Sequence, residues 1–207
     1  MKLKKSDIEI VKKSIEEAEK KTSGEIVPVL ISKSDSYIYT HYLCSLIFTF
    51  IGLFLTKYSI LQIDISEIII VLTFSFIGLA LPLISPIKKL LLSKREVEEE
   101  VNQRTLQAFY ENQLHQTKDG TGVMIFISLL EKRVNIIGDW GINSKVSQSF
   151  WDDEIKSLTE AIRNKNIATG LSQVINDVGS RLAENFPIQS DDENELKNEL
   201  ITDLDIV

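Results

Sequence analysis

The feature that most constrains this chain is a pair of long uncharged stretches near its middle. Residues 42–56 carry no charged side chain, and the 20 residues from Ile68 to Ile87 are uncharged and rich in Ile, Leu, Phe and Val. A helix that crosses the hydrocarbon core of a bilayer needs about 20 predominantly apolar residues. Helices in the core of a soluble domain usually keep one polar face, and these stretches have none. The sequence therefore predicts a transmembrane helical hairpin over residues 37–87, with spans at about 38–57 and 67–87.

Basic residues flank the predicted hairpin at one end. Lys33 precedes the first span, whereas Lys57 is the single basic residue of the connection between the spans. Four basic residues follow the second span closely: Lys88, Lys89, Lys94 and Arg95. Cytoplasmic loops of membrane proteins carry an excess of Lys and Arg. We therefore expect a two-span protein in the lipid bilayer, with both termini and the folded domain in the cytoplasm.

The net charge of −7 is concentrated at the C terminus. Residues 191–207 hold seven acidic residues against Lys197 alone, so the rest of the chain is close to neutral. Segments with high net charge and few aromatic residues favour disorder, and we expect residues 189–207 to form a disordered acidic tail. A chain without a basic face repels the phosphate backbone. Nucleic acid is therefore not an expected partner.

The segments outside the hairpin alternate between helical and strand patterns. A first helix is expected to begin with a capping box at Ser6–Glu9. The apolar run Glu25–Ser32 is typical of a strand, and Pro28 indicates that this strand is bulged or lies at an edge. Beyond the hairpin we expect a helix, two strands and two further helices, at Lys94–Thr117, Val123–Leu130, Val134–Gly138, and after Ser147 and Asn166.

This order of elements predicts an α/β fold. A small mixed sheet sandwiched by helices (α/β/α) satisfies it, with the hairpin inserted after the first strand. Residues 1–36 are too few to bury a core of their own. We therefore expect them to dock onto residues 88–188 and to form one discontinuous domain with them.

Several segments resemble the TPM domain family. Thr22–Val27 (TSGEIV) resembles the T-G-x-I-V-V first strand of that domain, and Gly122–Asn143 resembles its central β-hairpin. The Phe150-Trp151, Gly170-Leu171 and Phe186-Pro187 pairs are similar to the membrane-anchored branch of the family, with two inserted helices. The resemblance implies an α/β/α sandwich around a small mixed sheet, in agreement with the order of elements above.

What the resemblance implies about function is an assembly, repair or protein-interaction role. Members of the family include secreted and thylakoid-lumen proteins connected with photosystem repair, and some have been described as weak acid phosphatases. A weak, metal-dependent acid phosphatase is therefore the alternative function. For a domain held at a bilayer, we expect a membrane-protein partner or a homo-oligomer.

Most common catalytic chemistries lack the residues that they need. The chain has two histidines, His41 and His115, and its single cysteine, Cys44, lies within a predicted span. A zinc site or a Cys–His pair therefore cannot be assembled within one chain. We expect Trp140 and Trp151 to pack in the domain rather than to form a ligand platform.

Carboxylates offer the one candidate site. If the first two strands are parallel and the third is antiparallel, Glu25, Asp119 and Asp139 lie along one edge of the sheet, and Asp152 could lie nearby. Carboxylate oxygens are ligands for Ca²⁺ and Mg²⁺, and such a metal could assist phosphoester hydrolysis. The structural alternative is that these carboxylates accept hydrogen bonds in turns or stabilise the start of a helix.

Overall fold

Two segments separated by the apolar insertion come together in one folded unit. The computed structural model describes residues 2–58, 66–189, 192 and 194–206, apart from the side chain of residue 85. The chain divides into two units, one of Met1–Ser34 with Glu100–Val207 and the other of Asp35–Glu99. The connection expected between the two spans lies mostly outside the described residues.

The described elements follow the predicted order, with short additions. In chain order they are α1 (Lys5–Glu19), β1 (Glu25–Ile31), α2 (Ile38–Lys57), α3 (Glu67–Ala80), α4 (Ser85–Leu91), α5 (Lys94–Glu111), β2 (Gly122–Ser128), β3 (Arg133–Gly138), α6 (Trp140–Asn143), α7 (Gln148–Arg163), α8 (Ile167–Asn185) and β4 (Ile201–Thr202). The expected capping box at Ser6–Glu9 is wrong by two residues. Lys4 is the N-cap of α1, and the Asp7 carboxylate accepts its backbone N–H at 3.3 Å.

The sheet is mixed and has four strands, in the order β3-β2-β1-β4. β1 is parallel to β2, from the Glu25–Gly122 pair to the Ile31–Ser128 pair, and β3 is antiparallel to β2. β4 pairs with β1 for two residues only, starting at Val29. Pro28 has no N–H to donate, so its place just before that short pairing costs no strand hydrogen bond. The predicted mixed α/β fold is confirmed.

Helices cover both faces of the sheet. Alternate residues of β1 and β2 join a core cluster with apolar residues of α1, α7 and α8, among them Ile15, Leu158, Leu171 and Val178. On the opposite face Val27 and Phe126 are buried, and Asn135 of β3 donates to the hydroxyl of Thr105 on α5 at 3.2 Å. A strand that helices cover on both faces is shielded from water along its whole length. This explains why all seven residues of β2 are buried.

The second unit is built around a close pair of helices. A Cβ atom on Gly78 of α3 would lie 2.6 Å from the carbonyl oxygen of Cys44 on α2. The hydroxyls of Ser45 and Ser75 are 2.9 Å apart between the same helices. Small residues that let two backbones approach, with a polar pair between them, are typical of helix packing in membranes.

The second apolar stretch is not one continuous helix. α3 has 14 residues, Leu81–Leu83 form a 3₁₀ turn, and α4 follows. Pro82 lies in that 3₁₀ turn, and a proline stands in the first turn of α4. Proline lacks the N–H that a continuing helix needs and clashes with the preceding turn. Among the described residues, α2 is the one helix that is both long and apolar enough to cross a membrane.

The expected disorder of residues 189–207 is wrong for the described part of that tail. β4 lies in it, Leu200 is 9% exposed, and Ile206 forms a bridge with Leu3. The Asp203 carboxylate accepts the Ser32 backbone N–H at 2.7 Å. The acidic composition of the whole tail hides an apolar run near its end, and burial of that run stabilises the ordered conformation.

Candidate functional site

The amino ends of β1 and β2 meet the carboxyl end of β3 at one edge of the sheet. The Glu25 backbone N–H donates to the Thr121 carbonyl at 3.2 Å, and the Asp139 N–H donates to the Gly122 carbonyl at 2.9 Å. This follows from strand direction, since parallel strands begin at the same edge and an antiparallel neighbour ends there. The backbone therefore brings the segments of Glu25, Asp119 and Asp139 to one edge, as the topology predicted.

The predicted ligand side chains make local contacts at that edge. One Asp139 oxygen accepts the Trp140 N–H at 2.7 Å and caps α6, while the other is buried without a hydrogen-bond partner among the described residues. Asp152 accepts from the Gln148 amide at 3.0 Å on the surface of α7, and Asp119 is exposed. Within the described ranges, no group of three or more His, Cys, Asp or Glu side chains is placed to hold a metal ion. A Ca²⁺ or Mg²⁺ site at Glu25, Asp119, Asp139 and Asp152 stays a prediction.

The Glu25 carboxylate points to the C-terminal segment and away from solvent. The residue is 6% exposed, and its Oε1 accepts the Glu195 backbone N–H at 2.9 Å. Its Oε2 is buried and has no hydrogen-bond partner in the described part of the chain. A buried carboxylate oxygen without a donor is costly, because it has lost its hydration.

A second carboxylate, Glu19 at the end of α1, lies beside Glu25. Its Oε1 accepts the Ile26 N–H at 3.0 Å, and its Oε2 is also buried without a partner among the described atoms. Both residues line a cavity of about 280 Å³, together with Glu16, Lys20 and Asp192. The structure therefore places two carboxyls together at the sheet edge, with Glu25 buried and Glu19 half-buried.

Glu19 does not stand out in the sequence as a site residue. Helical spacing was the available signal, because Glu19 follows Ile15 by four residues and so lies next to the apolar face of α1. In the sequence alone, Glu19 is one of several acidic residues on a charged helix. Only the docking of α1 onto the sheet removes it from water.

Burial is the main influence on the protonation of this pair. Burial raises the pKa of Glu19 to about 8, with a further rise from the neighbouring Glu25 and an opposing effect of the Ile26 N–H. Burial also raises the pKa of Glu25, as do the carboxylates of Glu195 and Asp192, while the Glu195 N–H lowers it. Desolvation disfavours the charged form of a carboxyl. Glu19 therefore carries a proton over most of the neutral pH range.

The stability of the folded protein should fall as pH rises from 4.5 toward 8. Glu19 has an ordinary pKa of 4.5 and a raised pKa of about 8 in the folded chain, so folding takes up a proton between these values. We expect the midpoint of thermal unfolding, followed by tryptophan fluorescence of the full chain in detergent, to drop by several degrees over this range. Glu19→Gln should remove much of the drop.

The matched control for this measurement is Glu17→Gln, on the exposed side of α1, which should keep the pH slope of the wild type. A remaining slope in Glu19→Gln is expected from Glu25 and Glu154, because burial raises the pKa of both carboxyls, that of Glu154 to about 7. A wild-type midpoint that rises with pH, or a full slope in Glu19→Gln, would contradict the assignment.

Comparison with known proteins supports the fold and part of the resemblance. No curated protein matches the chain. Among solved structures, the chain is similar to the NMR structure of BA42 protein from the psychrophilic bacteria Bizionia argentinensis, with a TM-score of 0.61 and 24% identity. The likeness covers 97% of this chain and 94% of BA42. At this identity it shows a shared fold.

A family model agrees with the central part of the chain. The matched range contains the Gly122–Asn143 hairpin, whose resemblance is thereby confirmed, whereas Thr22–Val27 lies outside it. Residues 89–181 match the model described as the TPM domain.

Proposed function

We propose that this chain is a two-span membrane protein whose TPM-type domain acts on the cytoplasmic face as an assembly, repair or protein-interaction module. The observation that carries the proposal is the exposure of apolar side chains around α2 and α3. Of the apolar part of α2, 17% is buried. On α3, Ile68 and Phe76 are 69% and 71% exposed.

A bilayer is the environment that suits this surface. Apolar area in water costs about 25 cal/mol per Å², and that cost disappears in hydrocarbon. Between the two helices polar atoms are paired, as in the Ser45–Ser75 contact and the 2.9 Å hydrogen bond of His41 Nδ1 with the Leu79 carbonyl. Polar groups turned inward and apolar groups turned outward are the arrangement that lipid requires.

The second span is the shorter of the two. α3 with its 3₁₀ extension covers Glu67–Leu83, which at about 1.5 Å per residue is somewhat less than the hydrocarbon thickness of about 30 Å. Short spans are accommodated by local thinning of the bilayer and by basic residues that reach the headgroups. Lys88, whose Nζ donates to the Ser36 carbonyl at 3.0 Å, follows this span, and we propose that role for it.

Cysteine labelling tests the two spans and their orientation together. In a Cys44→Ser background, single cysteines replace Ser180 on the exposed side of α8 and Ser59 in the connection between the spans. In right-side-out vesicles, a membrane-impermeant maleimide should label Ser59→Cys and leave Ser180→Cys unlabelled until the bilayer is permeabilised. The reverse pattern would refute the orientation, and labelling of both sites in intact vesicles would refute the hairpin.

The interaction role is supported by an exposed indole on the folded domain. Trp151 is buried as expected, whereas Trp140, at the start of α6, packs one face of its indole against Gly120 and is 71% exposed. Exposed tryptophans are frequent contributors to protein–protein interfaces. The face around Trp140 is therefore the proposed contact surface for a membrane-protein partner or a second copy.

Site-specific crosslinking tests that surface. With benzoylphenylalanine in place of Trp140, irradiation of native membranes should give one discrete crosslinked species, either with another protein or with a second copy of the chain. Lys156, exposed on α7, is the control position and should give little or none. Equal crosslinking from both positions, or none from Trp140, would refute the assignment of this face.

The alternative function, a weak metal-dependent acid phosphatase, is favoured by one observation. A carboxyl that keeps its proton at neutral pH, as the raised pKa of Glu19 implies, could donate that proton to a leaving group. Glu25, Asp119 and Asp139 would then supply the metal ligands. The matching family model is also named for a phosphatase.

Hydrolysis of a generic phosphomonoester separates the two functions. If the chain is an interaction module, full-length protein with Mg²⁺ or Ca²⁺ should show no hydrolysis above that of the Asp139→Ala variant. Glu17→Gln controls for the loss of one surface acid. Activity that falls at least tenfold in both Asp139→Ala and Glu25→Gln, but not in Glu17→Gln, would favour the phosphatase.

A further inference from the structure

β3 is the outermost strand at one side of the sheet, and its outer edge is unpaired in the described part of the chain. The strand order β3-β2-β1-β4 gives β3 a single neighbour, β2. The opposite side of the sheet ends in β4, which pairs with β1 over two residues only. An edge strand presents a row of N–H and C=O groups that can pair with another chain.

The register with β2 shows which backbone groups of β3 point outward. The Asp139 N–H donates to the Gly122 carbonyl at 2.9 Å, so this pair is a hydrogen-bonded one. Hydrogen-bonded and non-hydrogen-bonded pairs alternate along an antiparallel ladder, so the odd-numbered residues of β3 bond to β2. The N–H and C=O groups of Val134 and Ile136 therefore point away from β2. Within the described residues, these four groups form no hydrogen bond.

This free edge is short, and the helices on the two faces of the sheet leave it open. The next outward carbonyl, that of Gly138, accepts the Asn143 amide at 2.6 Å and is already used. Successive side chains of a strand point to opposite faces, and Ile136 and Ile137 are both half-exposed. Neither face is therefore completely covered at this edge. β3 also has no proline and no bulge in its register, which are common protections against edge pairing.

The charges at the two ends of β3 are opposite in sign. Lys132 and Arg133, both exposed, stand at its start, and Asp139 follows its end. The carboxylate of Glu131 is already hydrogen-bonded within its own chain. Antiparallel pairing of β3 with its own copy places the basic end of each strand beside the acidic end of the other. Parallel pairing would place like charges together, which is destabilising.

We propose that β3 pairs antiparallel with β3 of a second copy of the chain, about a two-fold axis at Asn135, and joins two four-stranded sheets into one of eight strands. Val134 of each copy exchanges two hydrogen bonds with Ile136 of the other, which uses all four outward groups of each edge. The proposal rests on the interaction role and names the partner as a second copy. Trp140 follows β3 closely, so its exposed indole belongs to the same surface.

Disulfide crosslinking of the full chain in native membranes tests this register. In a Cys44→Ser background, Asn135→Cys lies on the axis, where a non-hydrogen-bonded pair brings two Cα atoms to about 4.5 Å, within the range of a disulfide. Ile137→Cys is the matched control on the same face of β3. Its two copies are four residues apart in the register, about 14 Å. With a mild oxidant, Asn135→Cys should give at least tenfold more covalent dimer than Ile137→Cys.

Two further substitutions separate edge pairing from a general loss of folding. Ile136→Pro removes an outward N–H that β2 does not use, so β3 should stay in its own sheet, while the covalent dimer of Asn135→Cys falls at least tenfold. Arg133→Glu places acid beside acid and should lower the dimer at least threefold. Lys156→Glu, at an exposed position of α7, is its control and should leave the dimer unchanged. Circular dichroism checks that each variant keeps its helices and sheet.

The outcomes distinguish this pairing from the interaction role on which it rests. Equal crosslinking from positions 135 and 137, or a dimer that Ile136→Pro and Arg133→Glu leave unchanged, would overturn the pairing. Absence of the Asn135→Cys dimer, together with a crosslink from position 140 to another protein, would overturn the second copy as partner and support the interaction role. Absence of crosslinks from both positions would overturn both.

Discussion

The parallel pairing of β1 with β2 joins two parts of the chain that lie far apart in sequence. Glu25 pairs with Gly122 and Ile31 with Ser128, and the whole apolar insertion lies between the two strands along the chain. A parallel pair always needs a long crossover connection. The entropy cost of closing such a loop grows only slowly with its length. An insertion of this size is therefore compatible with one folded domain, provided that residues 2–34 can bury their apolar side chains against the rest.

The same pairing explains why carboxyls gather at one edge. Parallel strands start together, so Glu25 comes beside the turn that precedes β2, and α1 brings Glu19 to the same place. Burial of two carboxyls, each with one oxygen that lacks a donor among the described atoms, reduces stability. Local violations of the usual rules of burial are typical of functional sites. Asp192 of the C-terminal segment adds a further acid to this edge.

Much of the fold could be predicted from local patterns. The run Val123–Leu130 is apolar apart from Ser128 because helices cover both faces of β2, and the strand ends within two residues of that prediction. The break in the helix after α3 could also be predicted, since Pro82 and Pro86 lie inside the apolar stretch. The prediction of one continuous span depended on hydropathy and did not take these prolines into account. The tail was the clearest error, because net charge hid the apolar residues that Leu200 begins. Glu19 was missed because its burial depends on where α1 docks.

Local sequence patterns predicted the two apolar stretches, the strand positions and the sheet edge to which the segments of Glu25, Asp119 and Asp139 belong. Those features depend on periodicity, composition and strand direction, which are local properties. Tertiary packing places Glu19 beside Glu25, leaves Trp140 exposed while Trp151 is buried, and returns the acidic tail to pair with β1. Each of these depends on contacts between segments distant in sequence, and a charged or apolar residue is buried or exposed only by what packs against it.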